Sequence, residues 1–361
     1  MSAARRRVGL VSNDYVRNSY IGAADLERLA AAADFSYLHS DVTGGLHGDV
    51  PRDDVAEAAV AEFASDLDVL VVCHGSPFIS AEILAAAKRL TLLGDLDGDR
   101  FSYRIDIAAA ASLGVVVVDT SHGSSYPTAE WALGLALVGL RNAGAHFRRM
   151  IAHESPFTVP AEERSGPGYD KAELSGKRVG MVGFGHLARR LTDFLRPFNV
   201  RIETFDPYAP RVLAEAYGVV FAPLEKVLSC DVVFVLAPLT PGTDGMIGAA
   251  ELELLRPGSV FVNVGRGKVV DSDALIARLR YGDVIACLDV FDPEPLPLDS
   301  PIADLPNVFL SPHIAGVTEE SRRRFFTLMV DECLRHFDGI EPLAQLTTAN
   351  VRLNPALNAA G

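Results

Sequence analysis

The sequence predicts an α/β protein built from two doubly wound parallel sheets. Three observations carry this. Short apolar runs alternate with alanine-rich helical stretches, the rhythm of βαβ units. That rhythm occurs twice, separated by a long helical segment and a turn-rich break. At 361 residues the chain also exceeds one ordinary core and suits two.

In the first set, Val8–Val11, Val69–Val72 and Val115–Val118 are uninterrupted apolar runs, as strands buried on both faces require. Leu90–Leu93 is expected as a further strand, and Ala23–Ala33, Ala56–Phe63 and Ala81–Ala87 as covering helices. One continuous helix is expected from Thr128 to Ile151. Pro127 precedes it as an N-terminal signal, and Glu130 is expected in its first turn, where the dipole favours an anion. Its apolar positions occupy more than one face, so it is expected to be buried between domains or subunits. Glu154–Gly176, with Ser165-Gly166-Pro167-Gly168, is then a loop or partner-contacting excursion. The second set predicts six strands: Val179–Val182, Arg201–Phe205, Val232–Leu236, Val260–Val264, Ile285–Leu288 and Val308–Leu310. The amphipathic stretch Glu319–Phe337 follows this sheet and is expected to return to the first domain. The domains expected are therefore 1–121 plus 317–361, and 122–316, with a cleft between them.

Composition narrows the function. Hydrophobic residues at 49% and charged residues at 22% mark a globular chain, and a net charge of −14 opposes a nucleic-acid partner. The basic runs Arg5–Arg7 and Arg322–Arg324 are short and border structured segments. No signal peptide is legible at the start, and Trp131–Leu140 is about half of a membrane crossing. Cys73, Cys230, Cys287 and Cys333 lie far apart without CxxC spacing, so free core thiols, no metal and a cytoplasmic location are expected.

Gly183-Phe184-Gly185-His186-Leu187-Ala188 follows a strand and opens a helix. Gly183 permits a tight turn, Gly185 lets backbone approach a pyrophosphate, and Ala188 packs helix on strand. Asp206 ends the next strand, where a carboxylate binds ribose hydroxyls and repels the extra phosphate of NADP. A Rossmann domain binding NAD is therefore expected. Arg211 is near in sequence, but Pro207 and Pro210 intervene. The competing interpretations are an ordinary Asp-Pro turn and a Rossmann-like methyltransferase binding S-adenosylmethionine.

Three further segments put polar residues at strand ends: Asn263-Val264-Gly265-Arg266-Gly267, Asp289-Val290-Phe291-Asp292-Pro293-Glu294-Pro295 and Ser311-Pro312-His313-Ile314-Ala315-Gly316. Singly, each has a bland structural explanation as a turn, a solubilising charge or a strand-end cap. Together with the glycine turn and Pro238-Leu239-Thr240, their order resembles the D-isomer-specific 2-hydroxyacid dehydrogenase family. The match is dense from about Gly123 to Gly316. The resemblance implies a Rossmann NAD-binding domain, a flavodoxin-like substrate domain, and interconversion of a 2-oxo acid and a D-2-hydroxy acid. It implies Arg266 on the substrate carboxylate, His313 as general acid/base and Glu294 as its partner. It implies Gly183, Gly185, His186, Leu187, Asp206, Pro238, Thr243, Val264, Asp289 and Gly316 around the dinucleotide, and His74, Gly75 and Ser76 near the substrate. It also implies a homodimer.

The chemistry calls for these residue types on its own account. Reduction of a 2-oxo carbon builds negative charge on oxygen, which a cation stabilises and an acid protonates. Histidine serves both directions near neutrality, and arginine's planar fork matches a carboxylate. The sequence departs from the resemblance in two places. Trp131 stands where relatives more often carry histidine. Gly94–Arg104 is longer and acidic, and its aspartates disfavour 3-phosphoglycerate unless Arg100 or Arg104 offsets them. Formate dehydrogenases pair the histidine with glutamine, which Glu294 does not match. The chain's short run beyond His313 leaves no expected room for a regulatory domain. A dinucleotide-sensing corepressor on the same fold is the alternative function, separable by turnover.

Overall fold

A computed structural model describes residues 5–43, 50–98, 104–153 and 173–346. The chain divides into two compact units, residues 1–124 with 318–361, and residues 125–317.

The first unit holds β1 (Arg6–Ser12), β2 (Ala33–His39), β3 (Val69–Val72), β4 (Leu92–Asp95) and β5 (Val116–Asp119). They are parallel in the order 2-1-3-4-5, the flavodoxin-like arrangement, and an antiparallel strand Gln345–Leu346 closes the β5 edge. β3 is buried throughout, as its all-valine-and-leucine sequence requires. β2 alternates instead, because an edge strand covers only one face, and this weaker pattern is why the apolar-run criterion passed over it. The expected strand Leu90–Leu93 lies two residues later. Leu90 is spent on the turn, and Gly94 and Asp95 complete the ladder against Val118 and Asp119. The helix Glu319–Phe337 packs Phe325, Phe326, Met329 and Val330 into this unit's core. Its start is capped by Thr318, whose hydroxyl accepts from Ser321 N.

The second unit holds β6 (Arg178–Val182), β7 (Arg201–Phe205), β8 (Val220–Phe221), β9 (Val232–Val235), β10 (Val260–Asn263), β11 (Ile285–Leu288) and β12 (Val308–Leu310). The order 12-11-10-9-6-7-8 is all parallel and reverses between β6 and β9, the Rossmann pattern. Seven strands stand where six were expected. The addition, β8, is two residues long at the edge and too short to leave a periodic signal.

The expected helix Thr128–Ile151 is two helices, Ser125–Leu140 and Ala143–Ile151. Asn142 between them takes a left-handed conformation, φ 41°, which asparagine tolerates better than most residues. The break lets Gly144 meet Phe309 of β12, where an added Cβ would sit 2.9 Å from the ring. Arg148 then bonds the carbonyls of Ala303, Leu305 and Val308. The first helix begins at Ser125, so Glu130 falls in its second turn and not at the dipole's positive end. Its buried face, including Ala132, Leu135 and Ala136, belongs to its own unit's core.

The excursion expected at Glu154–Gly176 lies outside the described residues up to 172. All four cysteines are buried, and none forms a disulfide. Burial raises the Cys230 thiol to about 11 and Cys287 and Cys333 to about 12. Among the described residues no helix is long and apolar enough to cross a membrane.

Candidate active site

The glycine turn joins β6 to the helix His186–Leu195. Gly183 has φ 97°, and an added Cβ would lie 2.9 Å from Ala237 N, so a side chain is excluded by both conformation and space. Gly185 is the helix N-cap and offers no side-chain cap, leaving the first amides of the helix pointing outward. Ala188 is fully buried against the sheet, Leu187 is half-buried and His186 is exposed. These features fit a dinucleotide pyrophosphate.

Asp206 follows β7. Its Oδ2 accepts from Phe184 N at 2.7 Å, and its Oδ1 accepts from Tyr208 N and Ala209 N. It therefore braces the glycine turn as well as standing where a ribose would bind. Beside it is a pocket of about 340 Å³ lined by Phe205, Asp206, Pro207, Arg211, Phe221, Ala222 and Pro223. Sequence spacing had set Arg211 apart from Asp206. The fold brings it into the same pocket, with its guanidinium 5.4 Å from the Phe221 ring centre.

Across the sheet, Pro238 is exposed, and its carbonyl accepts from the Thr243 hydroxyl at 2.7 Å. The same hydroxyl accepts from Thr240 N, so the turn after β9 is folded on Thr243. Val264 is buried, and Gly316 is half-buried at the end of the loop after β12.

Arg266 stands on the turn after β10. Asn263, 2% exposed, accepts from Gly265 N and donates its amide to the Arg266 carbonyl, fixing that turn. Gly267 lies against the chain after β11: an added Cβ would sit 1.8 Å from Phe291 O. The Arg266 turn and the segment carrying Glu294 are thus in direct backbone contact. Ser272 bonds the Asp292 carbonyl and ties that segment to the next helix.

His313 and Glu294 meet: the imidazole Nδ1 is hydrogen-bonded to Glu294 Oε1. Both side chains are about a quarter exposed. With Nδ1 bound to the carboxylate, Nε2 is the ring nitrogen left to face a substrate. Asp289 is fully buried; its carboxylate bonds the backbone of Ile314 and Ala315 and the hydroxyl of Ser311.

His74, Gly75 and Ser76 follow β3 in the first unit. Gly75 has φ 94° and no room for a side chain beside Ser40 O. Ser76 N is engaged by Cys73 O at 3.0 Å. Arginine has only donors, so Arg104 at 2.9 Å makes His74 Nδ1 an acceptor, which leaves Nε2 beside Asp97. Arg104, 1% exposed, also pairs with the buried Asp95 at 3.1 Å. Arg104 thus answers the acidity expected of this segment; Asp99 and Arg100 lie outside the described residues. Asn263, Ser311 and Trp131 received no site role from sequence, because each acts through a contact between elements distant in the chain.

Residues 133–315 match the family model for the D-isomer specific 2-hydroxyacid dehydrogenase NAD binding domain. A D-3-phosphoglycerate dehydrogenase of Methanocaldococcus jannaschii is 30% identical over 82% of this chain and 57% of its own length. A glyoxylate reductase of Korarchaeum cryptofilum is 30% identical over 83% of this chain and 89% of its own. The chain thus spans little more than half of the first relative and most of the second. The D-mandelate dehydrogenase structure of Rhodotorula graminis shares the fold, with a TM-score of 0.78 at 22% identity over 95% of this chain and 98% of that one. A glycine turn built for a dinucleotide, a strand-end histidine joined to a glutamate, and these matches lead to one assignment: the chain belongs to the D-isomer specific 2-hydroxyacid dehydrogenase family of oxidoreductases.

Proposed function

We propose that this protein is an NAD-dependent D-2-hydroxyacid dehydrogenase. The observation that carries the proposal is the His313–Glu294 pair, set at the strand-end edge of a Rossmann sheet and adjoining the Arg266 turn. NADH, when bound, supplies the hydride for reduction of the 2-oxo carbon. His313, protonated, donates from Nε2 to the oxygen as negative charge develops there. Glu294 holds the imidazole by Nδ1 and favours its charged form. Arg266 pairs with the substrate carboxylate and stabilises the same charge. In the reverse direction His313 accepts the proton. Gly183 and Gly185 with Leu187 hold the pyrophosphate, and Asp206 selects NAD over NADP by its charge. Pro238, Thr243, Val264, Asp289 and Gly316 line or brace the nicotinamide end. Residues His74–Ser76 belong to a substrate-binding unit formed by residues 1–124 with 318–361.

The substrate class is a small 2-oxo acid, an inference supported by the glyoxylate reductase likeness over most of both chains. A panel of glyoxylate, hydroxypyruvate, pyruvate, branched and aromatic 2-oxo acids and 3-phosphohydroxypyruvate, each with NADH, tests it. Turnover is expected on at least one unphosphorylated member. His313→Ala should cut kcat by about 100-fold or more with NADH affinity intact. Arg266→Lys should raise KM for the oxo acid and lower kcat, because an ammonium lacks the fork. NADH binding without turnover on any member points instead to a dinucleotide sensor and defeats the proposal, as does wild-type kcat in His313→Ala.

A further inference from the structure

The inference concerns what holds His313 in place, and it rests on the acid/base role just proposed. His313 has φ 52°, a left-handed conformation that L side chains adopt only when their surroundings hold it. One residue supplies most of that hold. Asp289, fully buried at the end of β11, receives four donors from the loop around the histidine. Its carbonyl accepts from His313 N at 2.9 Å. Its Oδ1 accepts from Ile314 N at 3.1 Å and from the Ser311 hydroxyl, and its Oδ2 accepts from Ala315 N at 2.9 Å.

Ser311 has a single hydroxyl proton, and Asp289 takes it. The oxygen of Ser311 is then an acceptor, and it receives Trp131 Nε1–H at 3.1 Å. An indole nitrogen can only donate, so the direction of the chain is fixed: Trp131 to Ser311 to Asp289. Trp131 lies on the helix Ser125–Leu140, whose opposite side is built into the unit's core. The indole is partly buried, so packing alone does not explain why its one polar atom points at Ser311.

We propose that Trp131 and Ser311 are positioning residues for His313. The indole N–H turns the Ser311 hydroxyl toward Asp289, and Asp289 sets the backbone turn that aims the imidazole at Glu294. Neither residue touches the reacting atoms.

Trp131→Phe keeps a ring and removes the donor, Ser311→Ala removes the relay oxygen, and Trp131→His restores a donor. The first readout needs no substrate. It is the low-field proton resonance of His313 Nδ1–H in the free protein, identified by its loss in His313→Ala. Trp131→Phe and Ser311→Ala should shift or broaden it, and Trp131→His should return it toward its original position. The second readout is the kinetic split. Trp131→Phe and Ser311→Ala should lower kcat about 10- to 100-fold while KM and NADH binding change less than about twofold. NADH binding also certifies folding, and if either variant fails to bind, the other and Trp131→His carry the comparison. A lowered Tm with an unmoved resonance and unchanged kcat means mere packing and overturns the proposal. A moved resonance in a protein that turns over no 2-oxo acid upholds the positioning network and fails only the function.

Discussion

Asp119 offers a direct test of the electrostatics at the first unit's sheet edge. It ends β5 beside Asp95 of β4, its register partner, and both are almost wholly excluded from water. Gly98 is wedged against them: an added Cβ would lie 2.5 Å from Asp95 Oδ2 and 2.6 Å from Asp119 Oδ2. Burial, reinforced by the Asp95 carboxylate, pushes the Asp119 carboxyl up to about 7, against the pull of the Ser121 donors. The unfolded chain releases that proton near 3.9, so between about pH 4 and 7 the folded state holds a proton the unfolded state has lost. Stability from this group is therefore full below about pH 4 and falls as pH rises to about 7. From about pH 5.5 to 8 the loss spans roughly 1.5 units, or about 2 kcal/mol at about 1.4 kcal/mol per unit. Asp119→Asn cannot ionise, and its amide oxygen still accepts from Ser121 N. Its stability relative to the parent should therefore improve by about 2 kcal/mol between those two pH values. Urea unfolding by circular dichroism at each pH measures the gap, with hydrogen exchange of the Val116–Asp119 amides assigning the transition to this unit. A gap that does not change with pH would refute the reasoning.

Two other expectations concern cofactor choice and assembly. Asp206→Asn removes the charge but keeps acceptors for Tyr208 N and Ala209 N, and Arg211 shares the pocket. The ratio of kcat/KM for NADPH to that for NADH should rise about tenfold or more, since phosphate repulsion is replaced by an unopposed guanidinium. An unchanged ratio means that Asp206 acts only as a brace for the glycine turn. The helix Ala143–Ile151 exposes Phe147, Met150 and Ile151, an apolar surface consistent with the homodimer we infer. Phe147→Asp with Ile151→Asp should convert a dimer to a monomer in light scattering, and a mass unaffected by the pair would place any interface elsewhere.

The sequence was informative wherever a physical constraint is local. Buried parallel strands must be apolar throughout, so β3, β9 and β10 were legible as valine-rich runs. A tight phosphate turn must be made of glycine, so Gly183 and Gly185 were legible, and the order of strand-end motifs brought Arg266, Glu294 and His313 into view. Edge strands escaped because they bury one face or are too short, as β2 and β8 show. The continuous helix failed at Asn142, where no residue forbids a helix and the break is set by how Gly144 and Arg148 meet β12.

What only the tertiary structure decided is which distant groups share an environment. Arg211 joins the Asp206 pocket despite two prolines between them, and Arg104 neutralises Asp95 from across a long loop. Trp131 and Ser311, 180 positions apart, are linked by one hydrogen bond. Sequence fixes the chemistry each side chain can perform and the period of its own element. Partnership, burial and direction come from elements packed together through space, and no local pattern records them.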